Sequence, residues 1–242
     1  MKKILLPAAF LCIACLFMVS CQNKGATGPA GAKGIDLATV VLQNNYAYNG
    51  TTDTTIDFYN PAQNYSGDPL IWVGVNTVSG EYINADYARA LLRFDLSTVI
   101  PSNGTIEDAS LTLYPYNYGP QYIYGNTTIT AYAISDAWAS TQATWVDKKT
   151  LTPWANPGGD YNTITAISDT VILSDANIPA SVTFNLTASV VQGWLTAPSS
   201  NYGFIFKASN ETITADNYFT FYSTSNGTTS LNPVLTLHYK LP

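Results

Sequence analysis

Three of the five tryptophans in this 242-residue chain fall in one stretch: Trp138, Trp145 and Trp154. Trp154 belongs to the run Pro153-Trp154-Ala155-Asn156-Pro157-Gly158-Gly159-Asp160-Tyr161. A flat aromatic ring stacks on the apolar C–H face of a sugar, while amides and carboxylates bind its hydroxyls. An irregular Pro/Gly-rich loop can expose such a ring, whereas a strand tends to bury it. Trp154, Tyr161 and Asp160 are therefore the candidate glycan-binding residues. Trp138 and Trp145 flank a strand-to-loop passage and are expected to pack.

Catalytic chemistry finds little support. His238 is the only histidine and sits in a terminal strand-like run, so neither a Ser–His–Asp nor a Cys–His system nor a His-rich metal site can be assembled. Gly158-Gly159 reads as a turn, because the Lys-Ser/Thr of a phosphate loop is missing. Sixteen acids leave room for a glycosidase pair, and seventeen tyrosines for a tyrosine-based lyase, whose uronate substrate needs more basic residues than are present. No catalytic residue is assigned and a non-enzyme is expected. No Asp-x-Asp-x-Asp-Gly loop occurs, but the Asp- and Asn-bearing loops leave a structural Ca2+ open. No other cofactor is implied.

Whatever the domain binds, the N-terminus sets where it does so. Lys2 and Lys3 precede an apolar run from Ile4 to Val19, too short for a comfortable membrane span. Met18-Val19-Ser20-Cys21 resembles a bacterial lipobox, which makes residues 1–20 a signal peptide and Cys21 the lipidated residue. Cys15 competes less well, because its preceding residues fit worse. Each acyl methylene buried in a membrane contributes about 0.8 kcal/mol, so several chains anchor firmly. The expected location is the bacterial cell surface, at the outer membrane if there are two membranes, since Gln22 rather than Asp follows the cysteine. Residues 21–36 form a linker in which Gly25, Gly28, Gly31 and Gly34 keep the collagen period. A flexible spacer and a trimerising stalk both fit. So short a repeat favours the spacer and a monomer.

Cys12 and Cys15 leave with the leader and Cys21 is consumed by lipid, so the domain at 37–242 has no disulfide or thiolate site. Losing Lys2 and Lys3 and no acid takes the net charge from −6 to −8. Scarce, scattered basic residues exclude nucleic acid as a partner.

Short apolar or alternating runs recur between turn clusters: 37–42, 54–59, 70–75, 88–96, 110–116, 127–134, 170–173, 182–186, 204–208, 218–223 and 234–239. In the last, Leu235, Leu237 and Tyr239 share one face, the period of a half-buried strand. The absence of βαβ alternation predicts an all-β antiparallel sandwich. One short helix is expected at about 187–195, capped by Thr187, with Val190, Val191, Trp194 and Leu195 on its packed side.

The run Arg89-Ala90-Leu91-Leu92-Arg93-Phe94-Asp95-Leu96-Ser97, then Ile100-Pro101, Ile106 and Ala109-Ser110-Leu111-Thr112-Leu113-Tyr114, resembles the core motif of the DNRLRE (disaggregatase-related) domains. The likeness continues through Trp138…Ala143-Thr144-Trp145, Pro153-Trp154…Asp160-Tyr161, Phe184-Asn185-Leu186-Thr187…Gly193-Trp194, Asn201-Tyr202-Gly203-Phe204 and Asn232-Pro233-Val234…Tyr239. It implies a jelly-roll β-sandwich similar to carbohydrate-binding module family 96, found on surface and secreted proteins. Some members of that family bind acidic algal polysaccharide. This chain departs from that need: Arg89, Arg93, Lys148, Lys149, Lys207 and Lys240 are nearly all it offers, and its net field repels a polyanion. A neutral or weakly charged polysaccharide is the expected partner, besides the membrane reached through the lipid. Phe94, Leu96, Leu111 and Leu113 read as core, and Arg89 or Arg93 as ion-pair partner of Asp95.

Three functions are thus open: a surface-anchored, non-catalytic glycan-binding module; a structural or adhesive surface protein; and a polysaccharide lyase or glycosidase.

Overall fold

β-Branched and aromatic residues alternate with hydroxyl- and amide-bearing ones through most of the chain, and the structure turns these runs into strands. It is a computed structural model that describes residues 37–45, 47–77, 85–101, 103–117, 123–211 and 217–241. The leader, Cys21 and the Gly25–Gly34 linker lie outside the described residues.

The strands are β1 (Ala38–Gln43), β2 (Thr51–Asp57), β3 (Leu70–Thr77), β4 (Ala85–Phe94), β5 (Thr105–Leu113), β6 (Ile123–Tyr124) and β7 (Asn126–Ile134). They continue with β8 (Asp147–Lys149), β9 (Thr152–Pro153), β10 (Tyr161–Ser174), β11 (Val182–Leu186), β12 (Phe204–Ala208), β13 (Asn217–Tyr222) and β14 (Val234–Lys240), with one helix, α1 (Ala188–Thr196). The eleven runs read from the sequence each fall on a strand, β11 and β12 with the same limits.

Strand order is β1-β14-β5-β11-β10-β7-β12-β4-β3-β13-β6, with β2 also on β4 and every pair antiparallel. β10, 14 residues long, joins two leaves. It pairs with β11 at Ser168↔Leu186 and with β7 from Tyr161↔Ile134 to Ser174↔Asn126. Its register slips on either side of Ala166, and such irregularities sharpen twist. The sheet curls strongly there, so the leaves face each other as a sandwich. Phe184 of β11 meets Phe206 of β12 edge-on, ring centroids 5.4 Å apart. Leu111, Leu235, Leu237, Leu92, Phe94, Phe219 and Phe221 complete this inner core, and Leu96 and Leu113 join it as expected.

β4 is apolar on both faces because both are covered. Ala90, Leu92 and Phe94 point inward, while Leu91 joins Ile56, Ile134 and Ile205 in a second, outer core. Its lid is the chain between β7 and β10, which contributes Trp138, Ala143, Trp145 and Trp154.

The helix plugs one end. Val191, Trp194 and Leu195 are buried, with Trp194 edge-on to Phe204 at 5.0 Å. Thr187 is the N-cap residue in extended conformation, but its side chain makes no capping bond, contrary to the sequence expectation. Gln192 fixes the helix instead: its Oε1 accepts from Ile106 N at 2.7 Å and its Nε2 donates to the Gly104 carbonyl at 3.2 Å. Among the described residues, no helix is long and apolar enough to cross a membrane.

Candidate functional site

The Pro/Gly-rich loop does not display its tryptophan. Trp154 is 3% exposed, and its indole N–H donates to the Thr144 carbonyl at 2.9 Å. Trp138 is as buried, and its indole N–H donates to the Tyr202 carbonyl at 2.7 Å. Backbone bonds bind the loop down: Ala139 N to Lys148 O (3.0 Å), Trp154 N to Val146 O (3.0 Å) and Gly158 N to Trp145 O (2.7 Å). Pro and Gly shape turns that fold the rings inward, so Trp154 offers no open face for a sugar. Asp160 is also committed. Its Oδ2 accepts from Ala155 N at 2.7 Å and its Oδ1 from Asn156 N at 2.8 Å, closing the turn. Of the three expected residues, only Tyr161 keeps a partly exposed ring.

Beside Tyr161 the fold builds a site that local sequence did not announce. Positions 87, 89, 91 and 93 of β4 point to the outer face, which places Arg89 at the rim of the outer core. Arg89 is 9% exposed. Its Nε and Nη2 donate to the two Glu211 carboxylate oxygens at 2.8 and 2.7 Å, and its Nη1 donates to the Gly158 carbonyl at 2.6 Å. Lys207 Nζ reaches Glu211 from β12 at 2.8 Å. The guanidinium also lies over Trp145 (4.9 Å) and Tyr161 (5.5 Å). Burial pulls the Arg89 pKa down, but the bidentate Glu211 contact outweighs it and holds the group above its ordinary value.

Asp95 is therefore not the partner of Arg89. It accepts from Ser97 N at 2.9 Å, a bond that chiefly holds its carboxyl below its ordinary value. Arg93 lies over Trp138, 5.6 Å from the ring centre.

Aromatic rings surround the Arg89–Glu211–Lys207 triad. Phe58 stacks on Tyr87 at 4.3 Å and 16°, and Tyr87 meets Trp145 edge-on at 5.1 Å. Tyr132 lies 5.4 Å from Tyr161. Tyr87, Tyr132 and Tyr161 cap the outer core with partly exposed rings, while Phe58 and Tyr59 are more open. Burial raises the Tyr87 and Tyr161 hydroxyls, Arg89 opposing it in part, so both stay neutral phenols. The strip offers ring faces, phenol hydroxyls and one ammonium. Its carboxylate is shared between two cations.

The sequence missed Arg89–Glu211 because 122 positions separate the partners. The spacing of Lys207 and Glu211 carries no meaning until β12 is placed beside β4, where Phe206 faces Ala90. Among the described residues, no three His, Cys, Asp or Glu side chains converge as a metal site.

A family model described as Disaggregatase related repeat domain matches residues 76–237. The match covers about two thirds of the chain and includes Arg89, Glu211, Lys207 and the three strip tyrosines. No curated protein matches the chain.

Proposed function

The chain belongs to the disaggregatase-related repeat domain family, and from that premise we propose that it is a non-catalytic glycan-binding module on an exported, lipid-anchored protein. The observation that carries the reading is the row of partly exposed tyrosines, Tyr87, Tyr132 and Tyr161, fixed around the Arg89–Glu211–Lys207 triad. Rings held by packing on one side and open on the other suit stacking on sugar C–H faces, at small entropic cost.

Glu211 neutralises much of the local positive charge, and the domain is acidic overall. Both features favour a neutral or weakly charged polysaccharide over a polyanion. Binding without cleavage fits the fate of the nearby carboxylates. Glu211 is ion-paired, Asp160 closes a turn, and Asp57 accepts from Tyr59 N (2.9 Å) and the Tyr65 hydroxyl (3.0 Å). In this reading a lipid on Cys21 would anchor the protein and residues 21–36 would tether the domain to it.

Affinity electrophoresis through gels containing neutral or acidic polysaccharides tests the proposal. We expect retardation by a neutral or weakly charged polymer and its loss in Tyr161→Ala. A chain that runs freely through every gel overturns the binding reading, and new reducing ends overturn the non-catalytic one. A structural or adhesive role has one observation in its favour: Ile164 and Ile172 of β10 are 93% and 79% exposed. Such side chains suit a protein contact better than a sugar.

A further inference from the structure

Tyr132 and Tyr161 stand on the two strands where the sheet curls. Between the pairs Tyr161↔Ile134 and Ala166↔Tyr132, β10 advances five residues while β7 advances two. The surplus makes a bulge in β10. The two rings meet beside it, with centroids 5.4 Å apart and planes tilted by 51°. Both are partly exposed, so a small solute reaches them from solvent.

The sequence directs oxidation towards such rings. Cysteine and methionine are the usual sinks for oxidants, but all three cysteines and both methionines fall within residues 1–21. Residues 22–242 have neither, so electrons taken from the domain come from its aromatic side chains. Trp138, Trp145 and Trp154, the tryptophans nearest the strip, are buried. A phenol sheds its proton as it loses an electron, and the Arg89 guanidinium, 5.5 Å from the Tyr161 ring, favours that step electrostatically. Tyr116 and Tyr222 are the other tyrosine pair in ring contact among the described residues, at 5.3 Å and 88°. That edge-on arrangement aims the rim of one ring at the face of the other, instead of bringing two rims together.

We propose that Tyr132 and Tyr161 form an oxidative modification site, where hydrogen peroxide and a peroxidase join them as dityrosine and so staple β7 to β10. Each phenol loses one electron and one proton to become a phenoxyl radical. The two radicals form a carbon–carbon bond between ring positions next to the hydroxyls. The hydrogen on each of those carbons then moves to the adjacent oxygen, which restores two phenols. Peroxide accepts the two electrons and two protons, its O–O bond breaks, and it leaves as two molecules of water. In a domain without cysteine this bond takes the place of a disulfide, closing the chain between 132 and 161 across the register slip. The inference does not rest on sugar binding.

Treating the full chain at low concentration with hydrogen peroxide and a haem peroxidase tests this. The readouts are the blue fluorescence of biphenols and mass spectrometry of tryptic peptides. Cleavage at Lys148 and Lys149 puts Tyr132 and Tyr161 on separate peptides, 94–148 and 150–207. We expect a joined species, two hydrogens lighter than the sum of these peptides, with fragment ions that place the bond at 132 and 161. The treated chain should also show a higher urea midpoint than the untreated one. Tyr132→Phe and Tyr161→Phe keep the ring and its packing but remove the hydroxyl, so each should abolish the joined species. Circular dichroism of the untreated variants confirms that they fold. Absence of the joined peptide, its persistence in either folded variant, cross-links only between separate chains, or preferential coupling of Tyr116 to Tyr222 each overturns the site. A bond that forms without raising the midpoint overturns the staple.

Discussion

The Gly158 carbonyl accepts from Arg89 Nη1 at 2.6 Å, and Gly158 does so at φ 92°, a backbone angle that L side chains rarely adopt. A Cβ there would stand 2.5 Å from the Trp145 ring and 2.7 Å from Arg89 Nη1. The turn, the outer core and the ion pair thus meet at a residue without a side chain.

Gly158→Ala should therefore strain the backbone and push Arg89 out of its seat at once. The conformational part alone costs about 1–3 kcal/mol. Urea unfolding should show a lower midpoint. Retardation in polysaccharide gels should fall too, because Tyr161 leans on the displaced guanidinium. Wild-type stability in G158A would show that the turn can relax away from both rings.

The two cations on Glu211 are not equivalent. Arg89 is buried and bidentate, whereas the Lys207 side chain is 24% exposed and makes one contact. Removing Glu211 leaves a buried guanidinium unpaired, which costs on the order of 3–5 kcal/mol. Glu211→Gln retains hydrogen-bonding capacity and should fall at the low end of that range. Lys207→Gln removes a partly solvated partner and should cost about 1 kcal/mol or less. Equal losses in the two variants, measured by chemical denaturation, would contradict this order.

Asp53 predicts an unusual pH dependence. It is 3% exposed, and burial pushes its carboxyl from 3.8 up to about 6, although Thr224 N donates to it at 2.7 Å. The folded state then holds a proton that the unfolded chain releases nearer 3.8. This stabilisation is fully present below about 3.8 and is lost as pH rises through about 6, amounting to roughly 3 kcal/mol across the window. Asp53→Asn keeps an acceptor for Thr224 N without the charge. It should flatten that part of the stability profile and exceed wild type near pH 7. Urea midpoints from about pH 4 to about pH 7 read both effects.

Strand positions were legible because burial follows alternation. In β11, Val182, Phe184 and Leu186 are buried between exposed Thr183 and Asn185, as a period of two requires. β10 was legible only at 170–173, since its first half carries an exposed Ile164 and little alternation. Its shape depends on register slips against β7, which no local pattern encodes. The site followed the same division. Composition points to an irregular loop over Pro153–Tyr161 with a turn at Gly158-Gly159, but carries no sign of the side on which the rings lie. That reasoning makes Trp154 and Asp160 ligand-facing, and the fold instead spends both inside the loop. The Arg89–Glu211 pair joins β4 to the chain following β12 and exists only once strand order is known.

Tyr161 and Trp154 provide the sharpest contrast, because both are aromatic and seven positions apart, yet Trp154 is buried in the loop while Tyr161, at the start of β10, is only partly so. Trp154→Phe keeps most of the apolar volume but leaves the Thr144 carbonyl, now bonded to the indole N–H, without its donor. That should cost about 1–3 kcal/mol, while sugar retardation per folded molecule stays unchanged, since the ring is buried. Tyr161→Ala removes a partly exposed ring and its contact with Arg89, a loss that solvent partly offsets. Its stability cost should be the smaller of the two, and its retardation should disappear. Running both variants through the same gels and urea series separates packing from recognition. If Trp154→Phe loses binding while Tyr161→Ala keeps it, the recognition surface lies on the other side of this loop.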